Sequence, residues 1–169
     1  MPSSHLLVIS DRAALAWVLG QERMAFPGGR RGLVSRLEEG DELLLYTTRG
    51  CWHNPGRDRG RVIGRARALG SVEQLRRPVE VAGRSFPLGL RLELVTLAPL
   101  GSGVELSPLV ERLAVFPIKH AWSGVMRRPL VELPAADAAL LERLLRPLAR
   151  PPHEVLSEYL AAGQRAASR

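Results

Sequence analysis

Cysteine, lysine, aromatic residues and long apolar runs are all scarce in this chain, and each shortage excludes something. A single cysteine, Cys51, rules out an intrachain disulfide. It fits a reducing compartment, so a cytoplasmic location is expected. Apart from the neighbours Cys51 and His53, the histidines lie far apart in sequence, which leaves no metal-ligand spacing. Gly28-Gly29 is followed by Arg30-Arg31 and not by a Lys-Ser/Thr pair, so there is no phosphate loop and no cofactor is implied. No apolar run approaches the roughly 20 residues of a membrane span. Met1 to His5 leads straight into a strand-like run without the character of a signal peptide. Asp58, Glu73 and Glu80 form no carboxylate pair suited to acid–base work. Cys51 and His53 stand two apart, but in a stretch that reads as a loop with no catalytic role. No catalytic residue, metal site or membrane partner is expected.

What is abundant is arginine. The chain of 169 residues carries 24 basic and 17 acidic residues, a net charge of +7, and Lys119 is its only lysine. A GC-rich coding bias explains arginine in place of lysine, but not the excess of base over acid. That excess favours an anionic partner, and nucleic acid is the expected one. The length and a hydrophobic content of 46% suit a domain with a proper core.

The organising stretch runs from Leu37 to Thr48. A polar turn, Glu39-Gly40-Asp41, feeds the apolar run Leu43 to Tyr46. The run has strand length and no polar alternation, so it predicts a strand covered on both faces. Before it, His5 to Ser10 predicts a strand. Asp11 then predicts an N-cap for a helix over Arg12 to Gly20. Met24 to Gly32 reads as a loop, with one helical turn over Leu33 to Leu37. After it, Arg49 to Asp58 reads as a loop. Arg59 to Ala68 then alternates, arginine on one parity and small apolar residues on the other, as in a strand with a basic face. A small hairpin is expected around Ala82-Gly83, and a separate half-buried strand over Leu88 to Leu97. Ser107 is expected to cap a helix over Pro108 to Leu113. A strand at Leu130 to Leu133, a helix over Pro134 to Leu148, a further helix over His153 to Ala162 and a frayed tail complete the chain. The expected fold class is α+β: a small curved barrel of five to six strands flanked by short helices.

Two constellations stand out. Phe26, Trp52 and Trp122, together with Met24, sit in irregular segments beside arginines, as base stacking requires. Their alternative role is to plug the ends of a barrel. Arg57, Arg59, Arg61, Arg65 and Arg67 form a stripe that must be solvated or neutralised by an anion. A phosphate-tracking face is the favoured reading.

From His5 to Leu148 the chain resembles the EVE domain family of the PUA-like superfamily, which also includes YTH, ASCH and SRA domains. The resemblance rests on the strand closing at Ser10-Asp11 and on Arg30-Arg31. It continues through Glu39-Gly40-Asp41 before Leu44-Leu45-Tyr46, and through Ile63-Gly64-Arg65-Ala66. Its last pieces are Phe116-Pro117-Ile118-Lys119 with Trp122-Ser123-Gly124, and Leu130 to Asp137. It implies an EVE/PUA-like domain over residues 1–150, with residues 151–169 as a helical extension and tail. It also implies a pocket that accepts a flipped, modified base of DNA or RNA, without catalysis. The pocket residues implied are Ser10, Asp11, Trp17, Met24, Phe26, Tyr46, Trp52 and Trp122. Phosphates would be held by Arg30, Arg31, Lys119, Arg127 and Arg128 with the Arg57–Arg67 stripe. The alternatives are a nucleic-acid-processing hydrolase using Lys119, His120 or Asp58, and a small-molecule pocket protein.

Overall fold

The strand at the organising stretch, Glu42–Thr47 (β3), does carry apolar side chains on both faces. Leu43 and Leu45 join one core cluster; Leu44 and Tyr46 join the other. In the computed structural model, which describes residues 2–167, a curled eight-stranded sheet is built around this strand. On one side β3 pairs in parallel with β1 (Ser4–Ile9), which pairs antiparallel with β8 (Leu130–Leu133). On the other side it pairs antiparallel with β4 (Arg61–Ala68), then β6 (Arg84–Leu97), then the edge strand β2 (Arg23–Phe26). Two strands lie off this path: β5 (Glu73–Val81) pairs with β6, and the two-residue β7 (Val104–Glu105) pairs with β4. Register shifts between Leu45 and Tyr46 and between Arg65 and Ala66 help the sheet to curl. The α+β half-barrel agrees with the fold class expected from the sequence.

The turn before β3 is held by a buried carboxylate. Asp41 is 4% exposed, and its side chain accepts the amides of Ser3 and Glu38, both at 3.0 Å. Gly40 has φ 91°, a conformation that costs glycine little. Asp41 therefore fixes where β1 begins relative to β3.

Helix α1 (Arg12–Gln21) follows β1 directly. A four-residue helix, α2 (Arg31–Val34), and another, α3 (Trp122–Val125), sit in connections. Helix α4 (Ala135–Leu145) covers the Leu44–Tyr46 face, and α5 (Pro152–Ala167) packs along α1.

Several expectations are corrected. Arg23–Phe26 is a strand, not a loop, because its backbone pairs with Leu88–Arg91 of β6. The separate strands expected at Arg84 and Leu88 are one 14-residue strand. The hairpin turn before it is Ala82-Gly83, with φ 52° and 73°. Ser107 does not cap a helix; it opens a 3-10 turn that ends at Arg112. The stretch from Gly163 is not a frayed tail as far as Ala167: it continues α5, while Ser168 and Arg169 lie outside the described residues. Gly163 is needed for packing, since a Cβ there would lie 2.3 Å from that of Ala16. Tyr159, 1% exposed, ties α5 to the sheet by donating its hydroxyl to the Ala98 carbonyl at 2.6 Å.

Replacing Asp41 by alanine leaves two partly buried amides without their acceptor. It should cost about 2–4 kcal/mol of unfolding free energy in a urea titration. An unchanged midpoint would show that the turn does not depend on the carboxylate.

Candidate nucleic-acid interface

β1 ends at Ile9, and the next two residues form the floor of a cavity of about 410 Å³. Ser10 is exposed there. Asp11 is extended, φ −143° and ψ 136°, and is the N-cap that the sequence indicates. Its Oδ1 accepts the amides of Ala13 at 2.8 Å and Ala14 at 3.4 Å, and its Oδ2 lies 2.9 Å from Nε2 of His53. Burial alone would push this carboxyl up. The bonds from His53, Ala13 and Ala14 outweigh it and hold Asp11 below the usual carboxylate range. Asp11 is thus an anion at neutral pH. It joins three parts of the chain: the end of β1, the start of α1 and the loop carrying His53.

The walls come from separate elements. Trp17 belongs to α1 and Met24 to β2; Val79 and Phe86 belong to the β5–β6 hairpin, and Met126 follows α3. Trp17 and Phe86 are half-buried, so each keeps part of its ring accessible. The Arg84 guanidinium lies 5.3 Å from the Phe86 ring centroid, a cation–π pair. Arg30, Arg84, Arg127 and Arg128 are exposed residues among those lining the cavity. The result is a largely apolar recess with a polar floor and a cationic rim. Its volume lies within the roughly 300–1,000 Å³ common for ligand pockets.

Of the eight residues expected at a base pocket, the structure brings together Ser10, Asp11, Trp17 and Met24. The other four lie elsewhere. Phe26 is 0% exposed in the Leu43–Leu45 core cluster, where β2 turns it inward. Tyr46 is 3% exposed in the opposite cluster, its hydroxyl against Gly60. Trp122 packs edge-on against buried Phe116, ring centroids 5.7 Å apart. Trp52 rests against Tyr159 at 6.2 Å and borders a second cavity.

The arginines divide similarly. Arg30 and Arg127 reach the first cavity, whereas Arg31 donates to the Gln74 side chain. Arg57 and Arg59 precede β4 and are exposed. Arg65 and Arg67 share a face of β4, opposite Leu44 and Glu42, but the bulge turns Arg61, opposite Thr47, to the other face, so the single basic face expected from the sequence is not formed. Carboxylates from this chain pair with all three. Glu105 faces Arg61, Glu42 and Glu142 face Arg65, and Glu42 and Glu93 face Arg67. Lys119 donates its Nζ to the Leu113 carbonyl at 2.6 Å. Cys51 is 0% exposed, and burial pushes its thiol up to about 12, so it is an inert core residue. Sequence reasoning did not find Val79, Arg84, Phe86 and Met126. Arg84 and Phe86, an arginine and an aromatic just past a tight turn, were the available signal.

No protein-family model matches this sequence, and no curated protein matches it. Solved structures do. The YTH domain of Zygosaccharomyces rouxii MRB1 protein, in complex with N6-methyladenosine RNA, superposes with a TM-score of 0.54 at 11% identity, covering 83% of this chain and 86% of that one. The fold is YTH-like. A protein of Pseudomonas putida matches with a TM-score of 0.55 at 14% identity, over 84% of this chain and 99% of that one. A hypothetical protein of Leishmania major matches with 0.54 at 14% identity, over 85% and 94%. The YTH-like fold accounts for most of the chain, in keeping with the PUA-like fold expected. Among the described residues no helix is long and apolar enough to cross a membrane.

Asp11→Ala should destabilise the protein by about 1 kcal/mol at pH 7, through the lost cap. Because the folded-state carboxyl titrates below its ordinary value, the contribution is full above about pH 4 and fades as pH falls through the folded value. Denaturation of both proteins across pH 2–7 measures this. A difference that stays constant to the lowest pH contradicts the assignment.

Proposed function

We propose that this protein is a non-catalytic nucleic-acid-binding domain of EVE type that reads one extruded, modified base of DNA or RNA. The observation that carries the proposal is the cavity at the end of β1, with its apolar walls, anionic floor and arginine rim. A flipped base loses a few kcal/mol of stacking, which the pocket must return. Trp17 and Phe86 offer the ring surfaces, and stacking contributes about 1–3 kcal/mol per base. Met24 and Met126 fill the remaining wall with adaptable thioethers. The Asp11 carboxylate already accepts two amides and contacts His53, which leaves about one of its roughly four acceptor positions for a ligand. That position favours a base edge bearing an amino group, such as N6 of adenine or N4 of cytosine. The Ser10 hydroxyl supplies a second polar contact. Arg30, Arg84, Arg127 and Arg128 are placed to hold the flanking phosphates. A binding role also suits the groups weighed for catalysis. Lys119 is engaged with a backbone carbonyl and Cys51 is buried.

The test is fluorescence anisotropy with single-stranded RNA and DNA, unmodified or carrying N6-methyladenine or 5-methylcytosine. One modified strand should bind best. Trp17→Ala and Phe86→Ala should each weaken it by about 10- to 100-fold, in proteins confirmed as folded by thermal melting. Arg127→Gln with Arg128→Gln should lower the slope of log affinity against log salt by about 2. Affinity indifferent to Trp17→Ala and Phe86→Ala would remove the base from this cavity.

A further inference from the structure

A second cavity, of about 380 Å³, lies on the opposite side of α1. Successive helix residues are about 100° apart. Asp11, Ala14 and Val18 therefore share the face toward the first cavity, while Arg12 and Ala16 face away from it. Ala16 meets Gly163 of α5, and Arg12 opens into the second recess. Three guanidinium residues converge there from three elements: Arg12 of α1, Arg61 of β4 and Arg165 of α5. No local run of sequence forces that convergence. Among the described residues Asp58 is the one carboxylate lining the recess. Glu105 lies 3.7 Å from Arg61, and Glu158 accepts the Leu100 amide nearby.

Two atoms at this place are unsatisfied. Nε of Arg12 and Oδ2 of Asp58 are buried and have no hydrogen-bond partner among the described residues. Buried polar atoms are nearly always paired. Beside them stands Trp52, half-buried and braced by Tyr159. The set combines guanidiniums for a phosphate, a carboxylate for a hydroxyl or amino group, and an indole for a ring.

We propose that this recess is a second site, for a nucleoside phosphate. The phosphate lies against Arg12, Arg61 and Arg165, the ring stacks on Trp52, and Asp58 accepts a hydrogen bond from the sugar or base. The nucleotide is either free or the phosphorylated end of a strand. This site is independent of the first cavity and stands whether or not that cavity takes a base.

Calorimetric titration with adenosine 5′-monophosphate and with inorganic phosphate tests it. The nucleotide should bind saturably and about tenfold tighter than phosphate, the difference being the ring on Trp52. Arg165→Gln, at an exposed position of α5, should weaken it about tenfold through one lost charge-assisted contact. Trp17→Ala, in the other cavity, should leave it unchanged. A 5′-phosphorylated oligonucleotide that outcompetes its 5′-hydroxyl counterpart identifies the strand end as the source; competition by neither identifies the free nucleotide. The proposal is overturned by no saturable binding in the millimolar range, or by equal affinity for nucleotide and phosphate. It is overturned equally if binding survives both Arg12→Gln and Arg165→Gln, or if it is lost in Trp17→Ala. Circular dichroism of each variant separates lost binding from lost fold.

Discussion

The parallel pairing of β1 with β3 is the constraint on which the rest of the structure depends. Ser4–Ile9 lies beside Glu42–Thr47 in one unbroken register, and Asp41 holds its start. Parallel neighbours cannot be joined by a tight turn; they need a crossover. Here the crossover carries α1, β2 and α2. It leaves the sheet at Ser10-Asp11, so α1 must begin at the end of a core strand. The first cavity opens at that departure point, and the cap of the helix is also its floor. Moving the register of β1 by one residue would exchange the two core faces and carry Asp11 out of reach of His53.

Arginine does two kinds of work in this molecule. On β4 it is structural: Arg61, Arg65 and Arg67 are matched by glutamates from β3, β6, β7 and α4, which laces the sheet to its covering helix. These pairs are partly exposed, so each adds only about 0–1 kcal/mol. Arginines also gather at the two cavities that flank α1, Arg61 of β4 among them. Arg30, Arg84, Arg127 and Arg128 line one; Arg12, Arg61 and Arg165 line the other. Seven arginines thus line the two recesses.

What could be read in the sequence was local. The Asp11 cap, the turn at Gly40 and the doubly covered β3 each follow from a few adjacent residues, and each is present. What could not be read was set by partners distant in the chain. Arg23–Phe26 has no strand-like alternation and becomes a strand only because β6 offers it an edge. That pairing also turns Met24 and Phe26, two apart on β2, into the same core cluster, where only Met24 reaches the cavity as well. The arginine alternation of β4 was legible, but not the bulge that turns Arg61 to the other face, nor the neutralising glutamates, which lie on other elements, up to 77 residues away for Arg65 and Glu142. Five of the residues lining the cavity, among them Val79, Arg84 and Phe86, come from the β5–β6 hairpin, whose position over α1 no local pattern specifies. Gly163 was misread for a related reason: a small residue near a terminus looks like fraying until Ala16 is placed beside it.

The central claim is that the recess at the end of β1 receives a base. Met24 and Met126 line it, and their methyl groups can be followed directly by NMR in methionine-labelled protein. Titration with the best-binding modified strand should move both signals upfield, by the ring current of a base seated between Trp17 and Phe86. The unmodified strand should move them less. Saturating binding that leaves the Met24 and Met126 methyls where they were would contradict the account.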